Sequence, residues 1–304
     1  MERVATFNHQ NTLVQYMMRA EAKVATEQVR SSTGLNSTDY KGIASDSGRL
    51  VNLESHYKRL EQYVDEGEVV NGRIQSMYDA VGGMSDLTSR LSALITGLQG
   101  DNAAGVEGVT AEAGELMKEF AALLNTQQEG RYLFSGGRTD QPAVTVDSAT
   151  YPAMTTVPST ADTSFYQGDS TIAHYQAADD LILSYGVTAD QPAFEKALRA
   201  FNLIANLTTT PVDNDVLDEA SQLASDATDG LAVTQAKLGA TSASLERTID
   251  RHVDEQLVLQ THVDDIRSVD LAESTTRLSQ LTASLEATMS LMSSLEENSL
   301  TKYL

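Results

Sequence analysis

All five prolines of this 304-residue chain lie in one central stretch: Pro142, Pro152, Pro158, Pro192 and Pro211. Residues 1–141 and 212–304 contain none. Proline has no backbone N–H to donate and clashes with the preceding helical turn, so it interrupts helices and sheet ladders alike. Two long proline-free arms around a proline-bearing middle predict a helical rod, an antiparallel bundle made by both chain ends, with an insert between them. The fold class this implies is mainly α with a small β-rich insert. That plan suits an assembly subunit better than an enzyme.

Apolar spacing supports it. Leu13, Met17, Ala20 and Val24 recur at four, three and four, one face of a helix, which then ends near Thr33-Gly34-Leu35-Asn36-Ser37. Leu50, Leu53, Tyr57, Leu60, Val64, Gly67, Asn71, Ile74, Tyr78 and Val81 form a longer heptad seam. Continued to Leu94 or Leu98, that helix would be about 70 Å long at the standard rise. Asn71 either fixes register against a partner helix or sits at a wet edge. Gly97, Gly100, Gly105 and Gly108 mark a turn region, and Leu116, Phe120, Leu123 and Leu124 a further helix. Near the C-terminus Leu271, Leu278, Leu285 and Met292 repeat every seven residues, with Leu281 and Leu295 between them. Ser274 and Thr288 take the other intervening places, so this seam is soft and gains most from a crowded multi-helix setting.

The middle has a different pattern. Val144-Thr145-Val146, Thr163-Ser164-Phe165-Tyr166 and Leu181-Ile182-Leu183-Ser184-Tyr185 are short β-prone pieces separated by Pro, Gly and Asp. Pro192 fits a helix start, with Phe194, Leu198, Phe201 and Ala205 on one face and Pro211 as its close. Asp140-Gln141-Pro142-Ala143 and Asp190-Gln191-Pro192-Ala193 read as two turns. No aromatic residue lies between Phe201 and Tyr303. A thick core would use aromatics, whereas a thin bundle can be built from Leu, Ile, Val, Met and Ala.

Composition excludes several functions. The net charge of −22 disfavours nucleic acid and anionic membranes as partners. With no cysteine there is no disulfide, thiolate metal site or cysteine nucleophile. None of His9, His56, His174, His252 and His262 falls in a metal-binding spacing; His262 with Asp264 and Asp265 reads as a solvated helix face sooner than as a loose ligand set. Gly136-Gly137-Arg138-Thr139 lacks phosphate-loop spacing and reads as a turn. No GxSxG elbow occurs. No catalytic residue, cofactor site or metal site is expected. The N-terminus lacks the basic and apolar regions of a secretory signal, so the expectation is a cytoplasmic protein or one exported without a cleaved signal.

Three places resemble a known superfamily. Asp270-Leu271-Ala272-Glu273 through Leu281-Thr282-Ala283-Ser284-Leu285, then Ser299-Leu300 and Tyr303-Leu304, resemble the end of flagellins. Ser31-Ser32-Thr33-Gly34-Leu35-Asn36 resembles the turn after their first helix, although Ile43-Ala44-Ser45-Asp46-Ser47 departs from the paired aspartates that usually follow. In the middle, Asn125 to Gly137, including Arg131, Tyr132, Leu133, Phe134, Ser135 and Gly136, is similar to the hook–filament junction (hook-associated protein 3) family. Phe165, Tyr166, Gln167, Gly168 and Asp169 match a second element of that family.

The resemblance implies a flagellin-like division. Residues 1–44 with 266–304 would form terminal helices, 45–137 with 212–265 a long helical bundle, and 138–211 a β-rich outer insert. It also implies a structural subunit of the bacterial flagellum, extracellular at the hook–filament junction and exported by the type III route. The ring would hold about 11 copies. The partners implied are further copies, the hook-side junction protein, flagellin and an export chaperone. Leu13, Met17, Val24, Leu271, Leu278, Leu281, Leu285, Met292 and Leu295 are the expected assembly contacts. A flagellin-like filament subunit is the alternative. A secreted enzyme or adhesin using the insert, and a cytoplasmic coiled-coil scaffold, are readings from other classes.

Overall fold

The computed structural model describes residues 2–98, 105–207 and 212–297, with side chains over 11–294 of these. In chain order the elements are α1 (Glu2–Thr33), a 3₁₀ turn (Tyr40–Ile43), α2 (Ser47–Leu98), α3 (Val106–Leu124), β1 (Gln127–Gln128), β2 (Arg131–Tyr132), β3 (His174–Ala178), β4 (Leu181–Ser184), α4 (Pro192–Ala205), α5 (Asn214–Arg267) and α6 (Leu271–Glu297). The protein is mainly helical with long terminal helices and a small antiparallel β insert. Pro211 and part of the glycine-rich stretch near 100 lie outside the described residues. The chain divides into two compact units, residues 1–59 with 254–304, and residues 60–253. Both α2 and α5 contribute to each.

The heptad read along α2 is its packed face. Leu50, Leu60, Gly67, Ile74 and Val81 are buried, and Leu53, Tyr57, Val64, Asn71 and Tyr78 half-buried. In the larger unit this face meets α5 in antiparallel register. Tyr63 stacks on His252 at 5.7 Å. A Cβ on Gly67 would come within 3.1 Å of Ile249, so a larger residue there would make Ile249 give way. Asn71 donates to Glu246 at 3.1 Å and accepts from Ser242 at 2.7 Å, a polar layer that fixes the two helices in register. On α5 the matching stripe is Leu217, Ala224, Leu231, Leu238, Leu245 and His252, all buried at intervals of seven.

The middle of the chain has less β structure than its sequence suggests. Its regular strands are the β3–β4 hairpin, with one further antiparallel bridge joining Val144 to Tyr166. The reason is aromatic burial. Phe120, Phe134, Phe165, Phe194 and Phe201 are all fully buried and belong to one hydrophobic cluster with α2, α3 and α5. Phe120 of α3 and Phe201 of α4 lie 5.5 Å apart, and Phe134 meets Phe194 edge-on at 6.0 Å. Irregular segments wrap this core, held by Asn202, whose side chain binds the backbone of Pro152 and Met154. The hairpin is tied down where the Tyr175 hydroxyl donates to the Tyr63 carbonyl and His252 Nε2 lies 2.7 Å from the Ala177 carbonyl.

Because that core is shared, residues 138–211 expressed alone are expected to show no cooperative thermal transition. In the full chain Phe201→Ala should lower the stability of the larger unit by about 3–5 kcal/mol, read by urea unfolding. Independent two-state melting of the excised segment would show that the core is not shared in this way.

Candidate assembly interface

In the smaller unit α1 packs against α6. The faces that meet are Leu13, Met17, Ala20, Val24 and Glu27 on α1, and Ser274, Leu278, Leu281, Leu285, Thr288 and Met292 on α6. Most of these apolar side chains are only half-buried, because one partner helix covers one side of a seam. Glu27 and Ser274 are the buried members, and the Ser274 hydroxyl donates to Glu27 Oε1 at 2.9 Å. A seam of Leu and Met alone would let two helices slide. This one polar pair selects a register.

Two turns hold the end of the pair. Asn36 donates its side-chain amide to the carbonyls of Ile266 and Ser268, at 3.0 and 2.8 Å. Its backbone N–H reaches the Arg267 carbonyl at 2.7 Å, and Val269 N–H reaches the Gly34 carbonyl at 2.9 Å. Asp270 caps α6 by accepting from the backbone of Ala272 and Glu273. Arg267 pairs with Glu54 at 3.0 Å, and Glu54 also accepts the Tyr40 hydroxyl at 2.7 Å. That hydrogen bond raises the Tyr40 pKa.

Of the expected contacts, Leu13, Met17, Val24, Leu278, Leu281, Leu285 and Met292 sit on this seam. Leu271 lies in the first turn of α6 and is 53% exposed. The side chain of Leu295 lies outside the described residues. Tyr16, Met18, Val29, Met289 and Leu291 are exposed apolar residues of the same two helices. The sequence reading missed Glu27, although it occupies the next heptad place after Val24.

The two middle signatures, some thirty residues apart, fold onto each other in the larger unit. Arg131 and Tyr132 form β2, which pairs with β1, and Leu133 is half-buried. Phe134 and Ser135 are fully buried. Asp169 N–H donates to the Ser135 carbonyl at 3.2 Å, and Gly137 N–H donates to Asp169 Oδ1 at 2.8 Å. The Tyr166 hydroxyl donates to the Asp169 carbonyl at 2.5 Å. Gln167 N–H binds the Ala143 carbonyl at 2.9 Å, and the Gln167 carbonyl accepts from Gln141 at 2.8 Å. Two glycines make the approach possible. Gly136 has φ +69°, and a Cβ there would meet the Asp169 carbonyl oxygen; a Cβ on Gly168 would meet the Ser135 carbonyl oxygen and the Tyr166 ring. Phe165 anchors the second segment through an edge-on contact with Tyr151 at 5.4 Å.

The electrostatics follow the hydrogen bonds. Backbone donors from Gly137 and Thr171 hold the Asp169 carboxyl below its ordinary range. Burial, with the carboxylates of Asp190 and Asp169, pushes Tyr166 up to about 12. The Tyr166 hydroxyl and the Asp169 carboxylate are both engaged by hydrogen bonds of the clasp. Among the described residues no group of three or more His, Cys, Asp or Glu could hold a metal ion, and no helix is long and apolar enough to cross a membrane.

Residues 4–139 match the bacterial flagellin N-terminal helical region, and residues 221–304 the bacterial flagellin C-terminal helical region. Together these span well over half of the chain, which belongs to the flagellin superfamily of flagellar structural subunits. Among solved structures it is similar to a chain from Vibrio parahaemolyticus assigned as a flagellar hook-associated protein, with TM-score 0.62 and 16% identity over 76% of this chain and 99% of that one. It is also similar to FlgL of Bacillus cereus, with TM-score 0.57 and 14% identity over 71% of this chain and 99% of that one. Identities this low show a common fold. No curated protein matches.

Asp169 gives a pH prediction. Its folded pKa is depressed, so the stability it contributes is present above the unfolded value near 3.9 and lost as pH falls through the folded pKa. Wild type should melt above Asp169→Asn at pH 6, with the gap closing below about pH 4. A gap independent of pH would remove the charge from the clasp. Gly168→Ala should open the same contact, read as faster hydrogen exchange at Gly137 and Asp169.

Proposed function

We propose that this chain is the hook–filament junction subunit of a bacterial flagellum. The supporting observation is the clasp: both segments that resemble the junction family, Asn125–Gly137 and Phe165–Asp169, are joined by direct hydrogen bonds. Ordinary filament subunits lack these two signatures. The two hook-associated relatives, each matched over 99% of its length, point the same way. On this reading the protein leaves the cell by type III export with a chaperone on its C-terminal arm. It forms a ring of about 11 copies between the hook-side junction protein and the first flagellins, and joins a bending hook to a stiffer filament.

Assembly would run through the terminal helices. Their seam is half-covered within one chain, and apolar surface in that state gains from further neighbours. Each Leu or Met that goes from exposed to fully buried contributes about 1.5–3 kcal/mol before the cost of ordering it. The domain division at 44/45, 137/138, 211/212 and 265/266 belongs to the same proposal. A filament subunit is the second reading, favoured by the two flagellin regions that the chain matches.

Immunogold labelling of sheared flagella separates the two. Label confined to the hook–filament boundary is the expected result, and label along the filament would make the chain a flagellin. Leu285→Asp should abolish assembly and motility while the larger unit keeps its thermal transition. Normal swimming by that strain would remove Leu285 from the interface.

A further inference from the structure

Beside the buried Glu27–Ser274 pair a groove of about 420 Å³ runs between α1 and α6. It is lined by Lys23, Thr26, Glu27, Arg30, Arg277 and Leu281. Three of its four charged side chains are cations, in a chain with 43 acidic residues and 21 basic ones. The charges do not cancel inside the groove. Glu27 is 5% exposed and already engaged, by the Ser274 hydroxyl at 2.9 Å and by Arg30 at 3.6 Å. Arg30 also donates through Nε to the Asn36 carbonyl at 2.7 Å. Lys23 and Arg277 are left over; both are exposed and make no ion pair among the described residues.

We infer that this groove is a docking site for a carboxylate side chain from an exposed helix face of a second copy of this chain. Charge complementarity identifies the occupant. Two exposed cations without an ion pair among the described residues line a groove on a protein of net charge −22, so another copy presents mostly the sign the groove attracts. The lining also suits a Glu or Asp side chain. Leu281 and the aliphatic stems of Lys23 and Arg277 accept its methylenes, while the ammonium and guanidinium bind its oxygens. The buried Glu27 keeps the groove from being purely cationic and repels a partner carboxylate placed too deep, which holds the contact at the lip. The inference rests on the assembly reading and adds an electrostatic contact to its apolar ones.

The test places a photo-crosslinking amino acid at Thr26, which lines the groove without belonging to either cation, in the full-length chain in flagellated cells. The expected result is a covalent adduct of the chain with itself. Lys23→Glu with Arg277→Glu should reduce that adduct about tenfold, Lys23→Arg should retain it, and circular dichroism of the purified double variant should match wild type. An adduct only with a different protein, no adduct, or self-adduct unchanged by charge reversal would overturn the inference. Immunogold position in the same cells reports on the junction reading separately. A chain absent from the boundary but still cross-linked to itself through the groove would lose its proposed location and keep the contact.

Discussion

The larger unit depends on the antiparallel contact between α2 and α5. Its pairs run in sequence order along both helices: Tyr63 with His252, Gly67 with Ile249, Asn71 with Glu246 and Tyr78 with Gly239. Close approach needs small residues on one side and a bulky or polar group on the other, and the chain alternates them. The same economy places the neighbouring elements. A Cβ on Gly83 would lie 3.1 Å from Leu123 of α3, and one on Gly230 would lie 2.8 Å from the Ala193 Cβ of α4. The β3–β4 hairpin is tied to the Tyr63–His252 pair. The tightest of these glycine contacts is at Gly230, where a larger residue would force α4 and α5 to shift.

The two units differ in how completely they satisfy themselves. The larger one closes its core with phenylalanines that have no solvent access, and its irregular loops are bound by Asn202 and by the Asp169 clasp. The smaller one has a two-helix seam of Leu, Met, Val and Ala with one buried polar pair. Such a seam covers each side chain on one flank only, and helical pairs of this kind draw most of their stability from packing. The exposed Tyr16, Met18, Met289 and Leu291 belong to that unit. Half-covered apolar surface of this sort is what an assembling subunit has to offer its neighbours.

Much of this was legible residue by residue. The ten-residue stripe from Leu50 to Val81 lies inward along α2, because a heptad repeat admits one buried face. The α6 stripe at Leu278, Leu285 and Met292 likewise faces α1. The sevenfold repeat from Leu217 to His252 is equally present in the sequence, but Ala224 and His252 weaken its apolar signal. Sequence alone leaves Asn71 between register and wet edge; Ser242 and Glu246 opposite it decide for register. The β-prone pieces of the middle do make β contacts, though short ones: Leu181–Ser184 is a strand and Val144 bridges Tyr166. The pairing of the Val144 and Tyr166 segments stays at one bridge, with Thr145 N–H on the Phe165 carbonyl and Gln167 N–H on the Ala143 carbonyl, where Phe165 is buried against Tyr151.

By itself the sequence determined the helical arms, the proline-bearing insert and the acidic surface, because periodicity, proline placement and charge act locally and are read in order; the superfamily came through the terminal motifs and the two flagellin regions they belong to. Tertiary structure decided the rest. It joined Ser135 and Gly137 to Asp169, put Glu27 against Ser274, and gathered Lys23, Arg30 and Arg277 around one groove. These are contacts between residues tens to hundreds of positions apart, and nothing in linear spacing specifies which of many acidic or glycine residues will meet. They form only when helix packing has set the distances.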